Sequence, residues 1–143
     1  MKNRDILTVA MAYYEEKKEN ERCKKDGLYI TEVSYPAAVA WKRYLNFKDI
    51  LAARDVIVQA MDEVKKSYFD DSHSNPTGEL DPNSGTEIRR IKDEYLEEFK
   101  QRLDDILDQD TDLNIRKIKI SEIPDVVLTE SDLSTLAFMI EEE

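Results

Sequence analysis

The chain has one cysteine, one histidine, three glycines and four prolines in 143 residues. One cysteine excludes an internal disulfide, and one cysteine with one histidine excludes a Cys/His zinc site. Three scattered glycines leave no Gly-rich loop to cradle a phosphate. A histidine-based triad would rest on His73 alone, which lies between Ser72 and Ser74 with no supporting motif. No apolar run approaches the ~18 residues of a membrane span. The first residues carry Lys2 and Arg4 ahead of a short apolar stretch, but no small-residue cleavage site follows, so a signal peptide is not expected. A soluble intracellular protein without membrane contact is the simplest expectation. Cys23, among Lys, Glu and Arg, reads as a thiol without a redox role.

What is present is enough apolar content, 41%, for one modest core, together with 37% charged residues. The length fits a single domain over 1–143. Residues 1–26 read as an N-terminal helix: Asn3 suits the cap, and Ile6, Leu7, Ala10, Met11 and Tyr14 make one apolar face. Asp26-Gly27 stops it. Residues 28–35 are strand-prone, with Tyr29, Thr31, Val33 and Tyr35 on one face, until Pro36. Residues 36–69 read as one long helix with no glycine or proline after Pro36, and Tyr44, Phe47, Ile50, Ile57, Met61, Val64 and Tyr68 recur at helical steps. Residues 70–85 hold two prolines and two glycines and read as a flexible loop. Ile88, Ile91, Tyr95, Phe99, Leu103 and Ile106 then predict a helix over 86–109, started by Ser84/Glu87 or Thr86. The two stripes predict an antiparallel hairpin, since each needs a partner to leave water. Residues 113–120 read as a second strand, able to pair with the first, ended by Pro124. Thr129 and Asp132 form a capping box for a last short helix carrying Leu133, Leu136, Ala137 and Ile140. The fold expected is α+β and mostly α: a long helical hairpin, a small β-sheet at its base and short terminal helices.

The net charge of −11 is unevenly spread. Residues 1–69 sum to +2 and residues 70–143 to −13. Phosphate binding depends on Lys and Arg, so an acidic half argues against direct nucleic-acid binding. Such a half reads either as a solvated face that aids solubility or as a surface for a basic partner protein. Asp104, Asp105, Asp108, Asp110 and Asp112 are the densest carboxylates and the candidate contacts. Asp108 to Asp112 has the opening rhythm of a calcium loop, but Leu113 replaces the turn glycine and Lys119 the closing glutamate. Asp81 to Gly85 fails likewise, with Lys92 at its end, so no metal and no cofactor are expected. Glu94, Glu97 and Glu98 interleave with Tyr95, Leu96 and Phe99 and read as a solvated face. Tyr35, Trp41, Tyr44 and Phe47 cluster at the start of the long helix; such rings serve cores and interfaces alike. Trp41, partly off the main stripe, is the best interface candidate.

Several segments taken in order carry a resemblance. Tyr35-Pro36-Ala37-Ala38-Val39 enters the long helix, and Tyr95-Leu96-Glu97-Glu98-Phe99 follows the charged loop. Asn114-Ile115-Arg116-Lys117-Ile118-Lys119-Ile120 precedes Leu128-Thr129-Glu130-Ser131-Asp132-Leu133 and Leu136-Ala137-Phe138-Met139-Ile140-Glu141. Over residues 28–143 this resembles an uncharacterised family of small bacteriophage proteins of Gram-positive hosts. The resemblance implies a phage accessory protein in the host cytoplasm, with no activity to carry over. The function expected is non-enzymatic binding of a host or phage protein, as an acidic inhibitor of a host defence or nucleic-acid-binding protein. The alternative is a virion or assembly component that forms a homo-oligomer through the helical hairpin.

Overall fold

Helix α1 runs Asn3–Lys25, where the periodicity predicts it. The computed structural model describes residues 1–27, 34–123 and 128–141. Lys2, not Asn3, holds the cap position of α1 and makes no side-chain cap bond. Asn3 is instead buried inside the first turn, where its Oδ1 accepts the Thr111 hydroxyl at 2.5 Å. The helix ends at Asp26, whose N–H donates to Arg22 O, and Gly27 follows with φ +69°, a conformation that favours glycine. Its buried face is narrower than expected: Ile6 and Ala10 are fully buried, but Met11 and Tyr14 are exposed. The strand expected over 28–35 lies, except for Ser34 and Tyr35, outside the described residues, as does Pro124.

Helix α2 spans Ala37–Ser67 without interruption. It is followed by β1 (Ser74–Leu80), β2 (Glu87–Ile91) and α3 (Asp93–Leu107), then by β3 (Ile118–Lys119), α4 (Glu130–Ser134) and β4 (Ile140–Glu141). The architecture is α+β and mostly helical. The chain divides into two compact units, 1–54 with 110–143 and 55–109, whose boundary falls within α2.

In the first unit, α1 and the start of α2 pack through Tyr13 and Phe47, stacked at 4.3 Å. Val39, Phe47, Ile118, Leu136 and Met139 form the buried cluster. Each such side chain contributes about 1.5–3 kcal/mol on leaving water. The segment 113–120, expected as a full strand, is strand only at β3, which pairs in parallel with β4. Its preceding residues are held by a side chain. Asn46, fully buried on α2, accepts the Arg116 N–H at 2.9 Å and donates to Arg116 O at 2.9 Å. One amide thus does for Arg116 what a neighbouring strand would do. The α4 capping box forms as expected: Thr129 Oγ1 accepts from Asp132 N, and Thr129 N donates to Asp132 Oδ2. The helix then stops at Ser134, so Leu136 and Met139 are buried while Leu133 is exposed.

In the second unit, the flexible loop and the start of the predicted helix are together a β-hairpin. β1 and β2 pair antiparallel, with Ser74 opposite Ile91 and Leu80 opposite Glu87. The turn explains the correction. Asp81 Oδ1 accepts the Asn83 N–H, Asp81 O accepts the Gly85 N–H, and Asp81 N donates to Thr86 O, each at 2.8 Å. Pro82 presets the turn and Gly85 closes it at φ +70°. Ser84 and Thr86 bond to each other there instead of capping a helix. With 86–91 committed to the strand, α3 starts at Asp93, where Asp93 and Glu94 suit the positive end of the dipole. Tyr68, 3% exposed, packs its ring against Phe99 of α3 at 5.3 Å.

Asn46→Ala leaves both main-chain groups of Arg116 without their partner. A loss of about 2–4 kcal/mol is expected, measured by urea denaturation followed through resonances of the first unit; a change below 0.5 kcal/mol, within the range of ordinary surface substitutions, would show that the amide pairing is dispensable.

Candidate functional site

Helical geometry separates the aromatics of α2. Val39, Asn46 and Ile50 face the core of the first unit, and Trp41 and Tyr44 project from the opposite side. Trp41 is 61% exposed and Tyr44 58%. Their rings stack at 5.5 Å with planes 21° apart, as neighbours at i and i+3 can. Phe47, by contrast, is buried, and Tyr35 is half-buried. The cluster read as one from the sequence is therefore two: a core pair and an outward pair.

Between them lies Arg43. Its Nη2 donates to Glu16 Oε2 at 3.0 Å and to Thr135 Oγ1 at 3.2 Å. The guanidinium also sits 5.0–5.9 Å from the rings of Tyr13, Tyr35 and Phe47. A planar, weakly hydrated cation suits this position. Burial pushes the Tyr35 hydroxyl above its usual pKa, against the opposing pull of Arg43. These groups join α1, α2 and the residues after α4; they serve the packing of the first unit.

The candidate aspartates are divided. Asp104, Asp105 and Asp108 lie at the C-terminal end of α3 in the 55–109 unit; Asp110 and Asp112 belong to the other unit. All five are exposed. Asp105 accepts from Gln101 at 2.8 Å, and Asp110 forms a β-bridge with Lys2. Among the described residues, no group of three His, Cys, Asp or Glu side chains is placed to hold a metal ion. Within the 55–109 unit, fifteen acidic side chains stand against seven basic ones, a net charge of −8. No helix among the described residues is long and apolar enough to cross a membrane.

His73 has more structure around it than its sequence context shows. Its Nδ1 lies 2.6 Å from Asp70 Oδ1, which also accepts the His73 N–H at 3.0 Å. The ring packs against Tyr68 and Tyr95. The nearby Ser74 hydroxyl is already engaged: it donates to Asp70 O and accepts from Arg89 Nε at 2.8 Å. Arg89 Nη2 also reaches Asp71 at 2.7 Å. This is a hydrogen-bonded corner between the end of α2 and the hairpin. The bond from His73 holds the Asp70 carboxyl below its ordinary pKa. Comparison of the chain with protein-family models, curated proteins and solved structures returns no match.

The sequence reading did not single out Arg43, Asn46 or the Asp70–His73 pair. Asn46 left a signal, a poor helix former set between Tyr44, Phe47 and Ile50. The partners of Arg43 and His73 lie too far along the chain or in too irregular a turn to be read from spacing.

A carboxyl whose pKa falls on folding stabilises the fold above its unfolded pKa and loses that effect as pH drops through the folded one. The stability gap between the protein and Asp70→Asn is therefore expected to shrink as pH falls below about 4. Denaturation of both proteins from pH 6 to 2 measures it; a gap that widens in acid would refute the assignment.

Proposed function

We propose that this chain is a non-enzymatic protein that acts by binding another protein, with Trp41 and Tyr44 as its anchor. The observation that carries this reading is the exposed, pre-stacked ring pair on an uninterrupted helix. Two large aromatic side chains left in water give up the 1.5 kcal/mol or more that burying a large side chain contributes on the usual scale. Rings already stacked on a helix lose little freedom on docking, which is what an interface anchor requires.

The charge supports a basic partner surface. A net −11, most of it in the 55–109 unit and the acidic C-terminal end of α3, raises the encounter rate with a positive surface over distances set by the Debye length. The phage resemblance supplies a setting: a host or phage protein, such as a nucleic-acid-binding one, as the target. The competing reading, assembly of this chain with itself, places the same rings in a contact between copies.

The test is affinity capture of the tagged chain from lysate of infected host cells, with mass spectrometry and parallel low- and high-salt washes. One partner should be retained by the protein and lost at least about tenfold by Trp41→Ala, with circular dichroism unchanged. High salt should weaken it further. Equal capture by Trp41→Ala would remove the anchor, and recovery of the bait alone as an oligomer would favour self-assembly.

A further inference from the structure

The β-hairpin of the 55–109 unit is two strands with little covering them. Six of the seven residues of β1 are exposed, as are three of the five in β2. Two-stranded hairpins are marginal in water; a third strand or a packed face is what makes them stable. No element other than β1 runs alongside β2 among the described residues.

The two outer edges differ. On β1, the Ser74 N–H donates to Asp70 O and Ser74 O accepts from Arg89 Nη2. Pro76, the next outward position, has no N–H to offer. That edge is blunted. On β2, Thr86 O accepts from Asp81, Ile88 O accepts from Thr77 Oγ1, and Lys92 N donates to His73 O. Positions 86, 88 and 92 therefore turn inward, and the alternating pleat turns Glu87, Arg89 and Ile91 outward. The β2 edge presents main-chain donors and acceptors with no such blunting.

We infer that this edge pairs with the same edge of a second copy, antiparallel and centred on Ile88, to make a four-stranded sheet in the order β1-β2-β2-β1. The register follows from charge and hydrogen-bond phase together. Outward residues must meet outward residues, which allows Glu87 to face Arg89 of the second copy, and Arg89 to face Glu87 in return. Both pairs are of opposite sign, and each exchanges two main-chain hydrogen bonds. Ile88, 41% exposed, then meets Ile88 of the second copy at the two-fold axis. Shifting the centre to Arg89 or Arg90 would instead set two arginines against each other, so self-pairing is selective for one register. Arg89 can accept the new partner: Nε and Nη2 are engaged with Ser74 and Asp71, which leaves Nη1 for Glu87. The contact is short, so the dimer it makes is concentration-dependent. It does not rest on the Trp41 reading.

Sedimentation velocity of the full chain over a wide concentration range is the test, with Ile88→Lys and Ile88→Glu as variants. The protein should dimerise reversibly. Each variant alone sets like charges opposite one another at the axis, and should lower the association constant by roughly tenfold or more. Mixing the two variants sets opposite charges there and should restore dimers, which also shows that both fold. A chain that stays monomeric at millimolar concentration overturns the inference. So does a dimer indifferent to the Ile88 changes, or a mixture that stays monomeric.

Discussion

The first unit depends on one amide. Asn46 sits at the centre of the buried side of α2 and closes both hydrogen-bonding groups of Arg116. The segment from Leu113 to Lys117 has no strand beside it among the described residues, yet it runs along the edge of the core to deliver the buried Ile118. Without a partner, its main chain would bring unpaired polar groups into an apolar cluster, which costs more than a hydrogen bond returns. The asparagine lets an irregular segment lie where a strand would otherwise be needed. Around it, Arg43 with Glu16 and Thr135 ties α1 and the later chain to the same helix, and Thr111 with Asn3 ties the later chain to α1. The first unit is a hydrophobic cluster oriented by a few long-range polar bonds.

The second unit is organised differently. Its turns are closed by local bonds, Asp70 to His73 and Ser74 and Asp81 to Asn83 and Gly85, each four residues or fewer, while Arg89 reaches Ser74 and Asp71 across the hairpin. Its apolar contacts are rings and aliphatic residues on two helices. Most of the protein's net negative charge is here, so the acidic reading attaches to the unit with the thinner core. The exposed ring pair belongs to the other unit. On the proposed reading, the charge that steers an encounter and the rings that anchor it belong to different units.

Much of this was legible. The extents of α1 and α2, the glycine stop after Asp26 and the Thr129–Asp132 capping box follow from short-range rules that tertiary packing did not overturn. Trp41 was separable from the core by its phase on the helix. The stretch from 70 to 92 is less legible. Ile88 and Ile91 fit a helical step into Tyr95, and the same two residues fit a strand; periodicity cannot decide between them over so short a span. The deciding feature is the Asp81-Pro82-Asn83-Ser84-Gly85 turn, whose residues form a hairpin connection and not merely a loop. The parallel pairing of β3 with β4, and the partition of the five aspartates between units, are products of long-range topology. Spacing along the chain carries no information on either.

The unit boundary inside α2 has a consequence for how the chain is made. The 55–109 unit is an insertion: all of its residues are consecutive, and it is complete once Gln109 has been synthesised. The 1–54 part of the first unit must wait. Ile118, Leu136 and Met139, three of its five central core residues, are among the later ones translated. In the usual vectorial order the N-terminal unit folds first. Here the middle unit has all of its residues before the split unit does. Until Ile118, Leu136 and Met139 are made, α1 and the start of α2 lack three of the buried side chains that complete their cluster.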